Sequence, residues 1–102
     1  MYHWVAIDIT VSGDHVVVPA QVDAHIKVMG VCFTTTGAVK VAWKSGTTVL
    51  IPPMNFTPGM PCWVPRTYNS FVKTAVNEPL VLNTSSNADL AGYLEYGLEY
   101  HN

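Results

Sequence analysis

Charge is what this chain has least of. Of its 102 residues only 12% are Asp, Glu, Lys or Arg, about half of the ~25% usual in soluble domains. Five basic residues and a net charge of -2 argue against nucleic acid, whose counterions are displaced only by a dense stripe of Lys and Arg. Arg66 is the sole arginine. Long apolar runs are missing too, since none approaches the ~18 residues of a membrane helix. The opening segment, Met1 to Thr10, has no basic start and carries Asp8 within its apolar run. It therefore does not read as a signal peptide, and a soluble chain made in the cytosol is expected. The two cysteines, Cys32 and Cys62, have no metal-ligand spacing, and a reducing compartment makes them free thiols.

Amphipathic helical spacing is also absent, while 49% of the residues are hydrophobic, which excludes a disordered chain. The length suits one domain. Val, Thr and Ile dominate and the apolar period is two, so the expected fold is an all-β, single-domain antiparallel β-sandwich of about eight short strands over residues 1–102. In 38–44, Val39, Val41 and Trp43 alternate with Lys40, Ala42 and Lys44. That is a half-buried strand, and Ser45-Gly46-Thr47 turns it into a second one at 48–51. At the C-terminus Gly92, Leu94, Tyr96, Leu98 and Tyr100 share one face, and Ala91, Tyr93, Glu95, Gly97 and Glu99 the other. Further strands are expected at 2–9, 15–18, 71–76 and 80–84, each bounded by turn residues.

The strand at 25–36 breaks the rule. After Lys27 both of its faces are apolar: Val28, Gly30 and Cys32 on one, Met29, Val31 and Phe33 on the other. A second sheet covers one face only, so Met29, Val31 and Phe33 are expected at an interface with a partner. From Pro52 to Pro65 five prolines mark a long ordered loop or an edge crossing. Phe56 and Trp63 within it are too apolar for a solvated linker and join the expected contact surface. Tyr93, out of phase with the core of its strand, is the sixth candidate.

Chemistry is harder to find. His3, His15, His25 and His101 have no metal spacing, the carboxylates form no adjacent pair, and no nucleophile, base and orienting group can be named together. No enzyme, metal or cofactor is expected. Among the aromatics, Trp43 and Tyr96 are in phase with core positions. A glycan-stacking surface built on Trp63 and Tyr68 with Asn55 and Asn69 is the alternative binding site.

Two stretches carry a resemblance. His25-Ile26-Lys27-Val28-Met29-Gly30, Thr36-Gly37-Ala38-Val39-Lys40-Val41 and Trp43-Lys44-Ser45-Gly46, followed by Phe71, Thr74-Ala75, Glu78, Leu80-Val81-Leu82-Asn83 and Ala91-Gly92-Tyr93-Leu94-Glu95-Tyr96, resemble in order and spacing small jelly-roll-like virion proteins of tailed bacteriophages. Asn77 stands where that group has Gly before Glu78, Pro79 opens the next strand, and the 52–65 loop is richer in proline. The resemblance implies a jelly roll and self-association, expected as a trimer. It also implies a place on the virion, as a head decoration or cement protein contacting the major capsid protein, or as a glycan-binding fibre module. It implies no catalysis, no nucleic acid and no membrane partner.

Overall fold

The computed structural model describes residues 2–59, 61–64 and 72–100. Strands at Tyr2–Ile9 (β1), Gly13–Val18 (β2), Ala24–Thr35 (β3), Val39–Ser45 (β4), Thr48–Phe56 (β5), Cys62–Val64 (β6), Val72–Lys73 (β7), Leu80–Thr84 (β8) and Leu90–Tyr100 (β9) form two antiparallel sheets. One runs β1-β9-β3-β6 with the short β7 also on β3, the other β2-β8-β4-β5. Successive strands alternate between the sheets at both ends of the chain, which is the wrapping of a jelly-roll sandwich. Ile7, Val28, Val31, Phe33 and Leu94 from one sheet meet Val41, Trp43, Leu80 and Leu82 from the other in a single core.

The period-two reading transfers directly to β4 and β9. Val39, Val41 and Trp43 are buried, and Leu90 and Leu94 are buried on the same face as half-buried Tyr96 and Leu98. Gly46 takes a left-handed φ of 57° in the β4–β5 hairpin, and Asn77 one of 66°, so Asn serves where Gly was expected. Asn77 Oδ1 also accepts a hydrogen bond from the Asp23 amide at 2.7 Å, joining two left-handed residues, for Asp23 has φ 58°.

Two expectations change. Strand β5 continues through Pro52 and Pro53 to Phe56, with register shifts against β4. Prolines fit there because β5 is a sheet edge, where an outward-facing amide is not needed. The 52–65 stretch is thus part edge strand, and Cys62–Val64 adds a further short strand on β3. The strand expected at 71–76 is only Val72–Lys73, with Phe71 outside the described residues.

The larger correction concerns β3. Its pairing with β9 shifts between Val28 and Gly30, so Met29 is the extra residue of a β-bulge. A bulge reverses the phase of a strand. Ile26 and Val28 face the core before it, Val31, Phe33 and Thr35 after it, and all five are buried. The second apolar face is therefore the same core face after a one-residue slip. Met29, at the bulge, is buried as well.

A buried polar link ties the β4–β5 hairpin to the turn before β8. Ser45, 2% exposed, donates through Oγ to Glu78 Oε1 at 2.6 Å and accepts from the Ala75 amide at 2.9 Å. Ser45→Ala strands both partners, so a loss of about 1–3 kcal/mol is expected in urea unfolding.

Candidate functional site

The outer face of the five-stranded sheet follows from the registers. Ala6 of β1, Tyr93 of β9, Cys32 of β3 and Trp63 of β6 lie in one row across four strands. Trp4 stands two residues from Ala6 on the same face, and its ring lies 5.0 Å from that of Tyr93, tilted by 51°. Trp4 is 64%, Trp63 69% and Tyr93 45% exposed. Tyr93 and Trp63 are two strand intervals apart, about 10 Å at the usual spacing. Around them the face is built from small side chains, Ala6, Ala91 and Thr34, all exposed. The rings therefore stand above their surroundings.

Among the described residues, the exposed charges of this face lie at its ends. Glu99 lies 3.4 Å from Lys27 and 3.3 Å from Lys73. The hydrogen bond and charge of Lys73, helped by Lys27, hold its carboxyl below the usual range. Asp8 is at the other end. Glu95, on the same face of β9 as Glu99 and in register between Trp4 and Gly30, is buried, whereas Glu99 is exposed. On the opposite sheet Asp14 is held low by hydrogen bonds from Asn83 at 2.8 Å and from Lys44 at 3.0 Å.

Of the six residues expected at an interface, four are inside the single chain. Val31 and Phe33 belong to the core because of the bulge, Met29 is buried at it, and Phe56 packs edge-on against Phe33 with ring centroids 5.2 Å apart. Trp63 and Tyr93 are exposed, and the structure adds Trp4. Its phase was readable: Val5, Ile7 and Ile9 alternate with Trp4, Ala6 and Asp8, which places Trp4 opposite the core. Of the alternative glycan set only Trp63 and Asn55 are among the described residues. Asn55 lies on β5 of the other sheet, away from Trp63, while Tyr68 and Asn69 fall outside the described residues.

The histidines do structural work in separate places. His15 Nε2 is 2.8 Å from the Val11 carbonyl, His25 Nδ1 is 2.7 Å from that of Thr74, and His3 stacks on Tyr96. His101 lies outside the described residues. Among the described residues no three His, Cys, Asp or Glu side chains gather as a metal site. Both cysteines are free. Cys32 pairs in register with outward Trp63 and Cys62 with inward Phe33, so their Cβ vectors point to opposite faces and no disulfide can close. Burial, then the nearby Cys32, pushes the Cys62 thiol up, away from nucleophilic use. No protein-family model, curated protein or solved structure matches this chain.

Proposed function

We propose that this chain is a structural protein of a bacteriophage virion, a head-decoration or cement protein that works by protein–protein contact, both with the capsid beneath it and with copies of itself. It is made in the host cytoplasm and needs no cofactor. The observation that carries the reading is the exposed row Trp4, Tyr93 and Trp63 on a rigid sheet face. Aromatic residues of this size dominate binding energy when a partner desolvates them, and they contribute nothing to the chain's own core. The resemblance of its strand segments, in order and spacing, to small phage virion proteins supports the setting.

Alanine at Trp4, Tyr93 or Trp63 tests it. Each variant is expected to keep the melting temperature of the parent while losing capsid affinity. A hot-spot residue is worth about 2 kcal/mol or more, roughly thirtyfold in affinity. Parental affinity in all three variants rejects the reading.

One observation favours a second reading, a glycan-binding module of a fibre. The small neighbours Ala6, Ala91 and Thr34 leave ring faces uncovered, as stacking on the flat apolar face of a sugar requires. Trp4 and Trp63 would then report binding, because Trp43 is buried and silent to added ligand. Host-surface glycans are expected to shift the tryptophan emission of the parent and not of Trp63→Ala. No shift across a glycan panel removes this reading.

A further inference from the structure

The two sheets have four lateral edges, and three of them are blunted. Strand β5 carries Pro52 and Pro53 and shifts register twice against β4. Strand β2 has a register irregularity between Val16 and Val18. The edge beyond β3 is split between the three residues of β6 and the two of β7. Proline, bulges and short strands are the devices by which sheets avoid pairing with a neighbour.

Strand β1 has none of them. It pairs with β9 over eight consecutive residues without a shift, and Tyr-His-Trp-Val-Ala-Ile-Asp-Ile contains no proline, glycine, lysine or arginine. In an antiparallel ladder alternate residues turn both amide and carbonyl toward the partner strand, and the others turn theirs away. Half of the backbone groups of β1 therefore face outward. Among the described residues no hydrogen bond outside the sheet reaches them. Strand β2 runs beside this edge without pairing to it, and residues 6–9 and 14–17 line an open cleft of about 350 Å³ between the two strands.

We propose that β1 pairs antiparallel with β1 of a second copy about a twofold axis, joining the two five-stranded sheets into one. The occupant is another copy because the edge needs a straight strand with matching unpaired groups, and β1 is the one edge here that offers them. Charge agrees with the direction. Parallel pairing would set Asp8 beside Asp8, whereas pairing centred on Val5 or Ala6 separates the two carboxylates by four to six residues, roughly 14–20 Å. Since the remaining edges are blunted, the contact uses up the open edge of both copies and closes as a dimer instead of growing into a fibre. It also brings the Trp4–Tyr93 pairs of two copies onto one continuous face. The inference rests on the edge and not on the virion reading.

Light scattering on the full chain at tens of micromolar, with amide exchange along β1, tests it. The expected result is a mass of two chains and slow exchange at consecutive amides from His3 to Asp8. Ala6→Lys, which sets two ammonium groups beside the axis, is expected to weaken the dimer about fivefold for a like-charge pair costing about 1 kcal/mol. Val49→Lys on the blunted β5 edge leaves it unchanged. A mass of one or three chains overturns the proposal, as does a dimer whose β1 amides exchange freely at every second residue. Trp63→Ala, three strands from this edge, weakens capsid binding roughly thirtyfold on the reading above without altering the dimer, so the two claims fail separately.

Discussion

Gly92→Ala is expected to destabilise the chain strongly, more than alanine at Gly13, Gly37, Gly46 or Gly59. Gly92 is the third residue of β9, flanked by Ile7 of β1 and Phe33 of β3. A Cβ built there runs into the Cys32 carbonyl oxygen and comes within 2.6 Å of Phe33 Cα and 2.8 Å of Phe33 Cβ. Those are backbone and stem atoms of the neighbouring central strand, so no rotamer change makes room. The strand would have to move away from β3, loosening the most extensive pairing in the fold, eleven residue pairs between β3 and β9. Overpacking usually costs about 1–3 kcal/mol, and this site is expected at the top of that range or beyond it. Chemical denaturation reads it directly. A variant as stable as the parent would show that β9 and β3 do not approach as closely as described.

Phe33→Ala is the second large effect, and it examines the bulge. Phe33 is 1% exposed and packs against Phe56 within the shared core. Removing its ring opens a cavity and is expected to cost about 3–5 kcal/mol. The neighbouring Cys32 faces the other way, and Cys32→Ala should stay within about 1 kcal/mol of the parent, as partly exposed positions generally do. Were the strand unbulged, the roles would exchange: Phe33 would lie on the outer face and its truncation would barely move the unfolding midpoint. Measuring both variants therefore reads the register of β3 on either side of Met29.

That register shows where the sequence was legible and where it was not. Regular alternation identified β4 and β9 and placed Trp43 in the core, and bounding turn residues identified β1 and β8; none of the four carries an inserted residue, since the register shifts add residues to β5, β2 and β3. Strand β3 does carry one. Its consecutive apolar residues read in sequence as two apolar faces, but Ile26 and Val28 followed by Val31 and Phe33 are one face interrupted by an added residue. Gly30 inside a strand was the available signal, since glycine there often marks a bulge. With the bulge recognised, the expected interface of Met29, Val31 and Phe33 returns to the interior. The surface left over is the aromatic row, which needs cross-strand registers to be seen. Tyr93 and Trp63 are thirty positions apart in sequence, and the register of β3 alone brings them to the same level of the sheet.

The scarcity of charge also takes a more definite form. Ion pairs are held at the ends of the outer face, by Glu99 with Lys27 and Lys73, and on the opposite sheet by Asp14 with Lys44. Exposed pairs of this kind are worth little in stability. Their effect is on where the chain is wet. Among the described residues, the centre of the outer face and the β1 edge except Asp8 carry no exposed Asp, Glu, Lys or Arg, and both are places where another surface would have to shed little water on docking.

The central claim is that this chain is a structural part of a virion, held there through that face. The most direct measurement is quantitative mass spectrometry of purified particles assembled with the parent chain and with the Trp4→Ala, Trp63→Ala double variant. The account predicts many copies of the parent per particle and a strong depletion of the variant at equal expression. Absence of the parent chain from particles, or equal occupancy by the double variant, contradicts it.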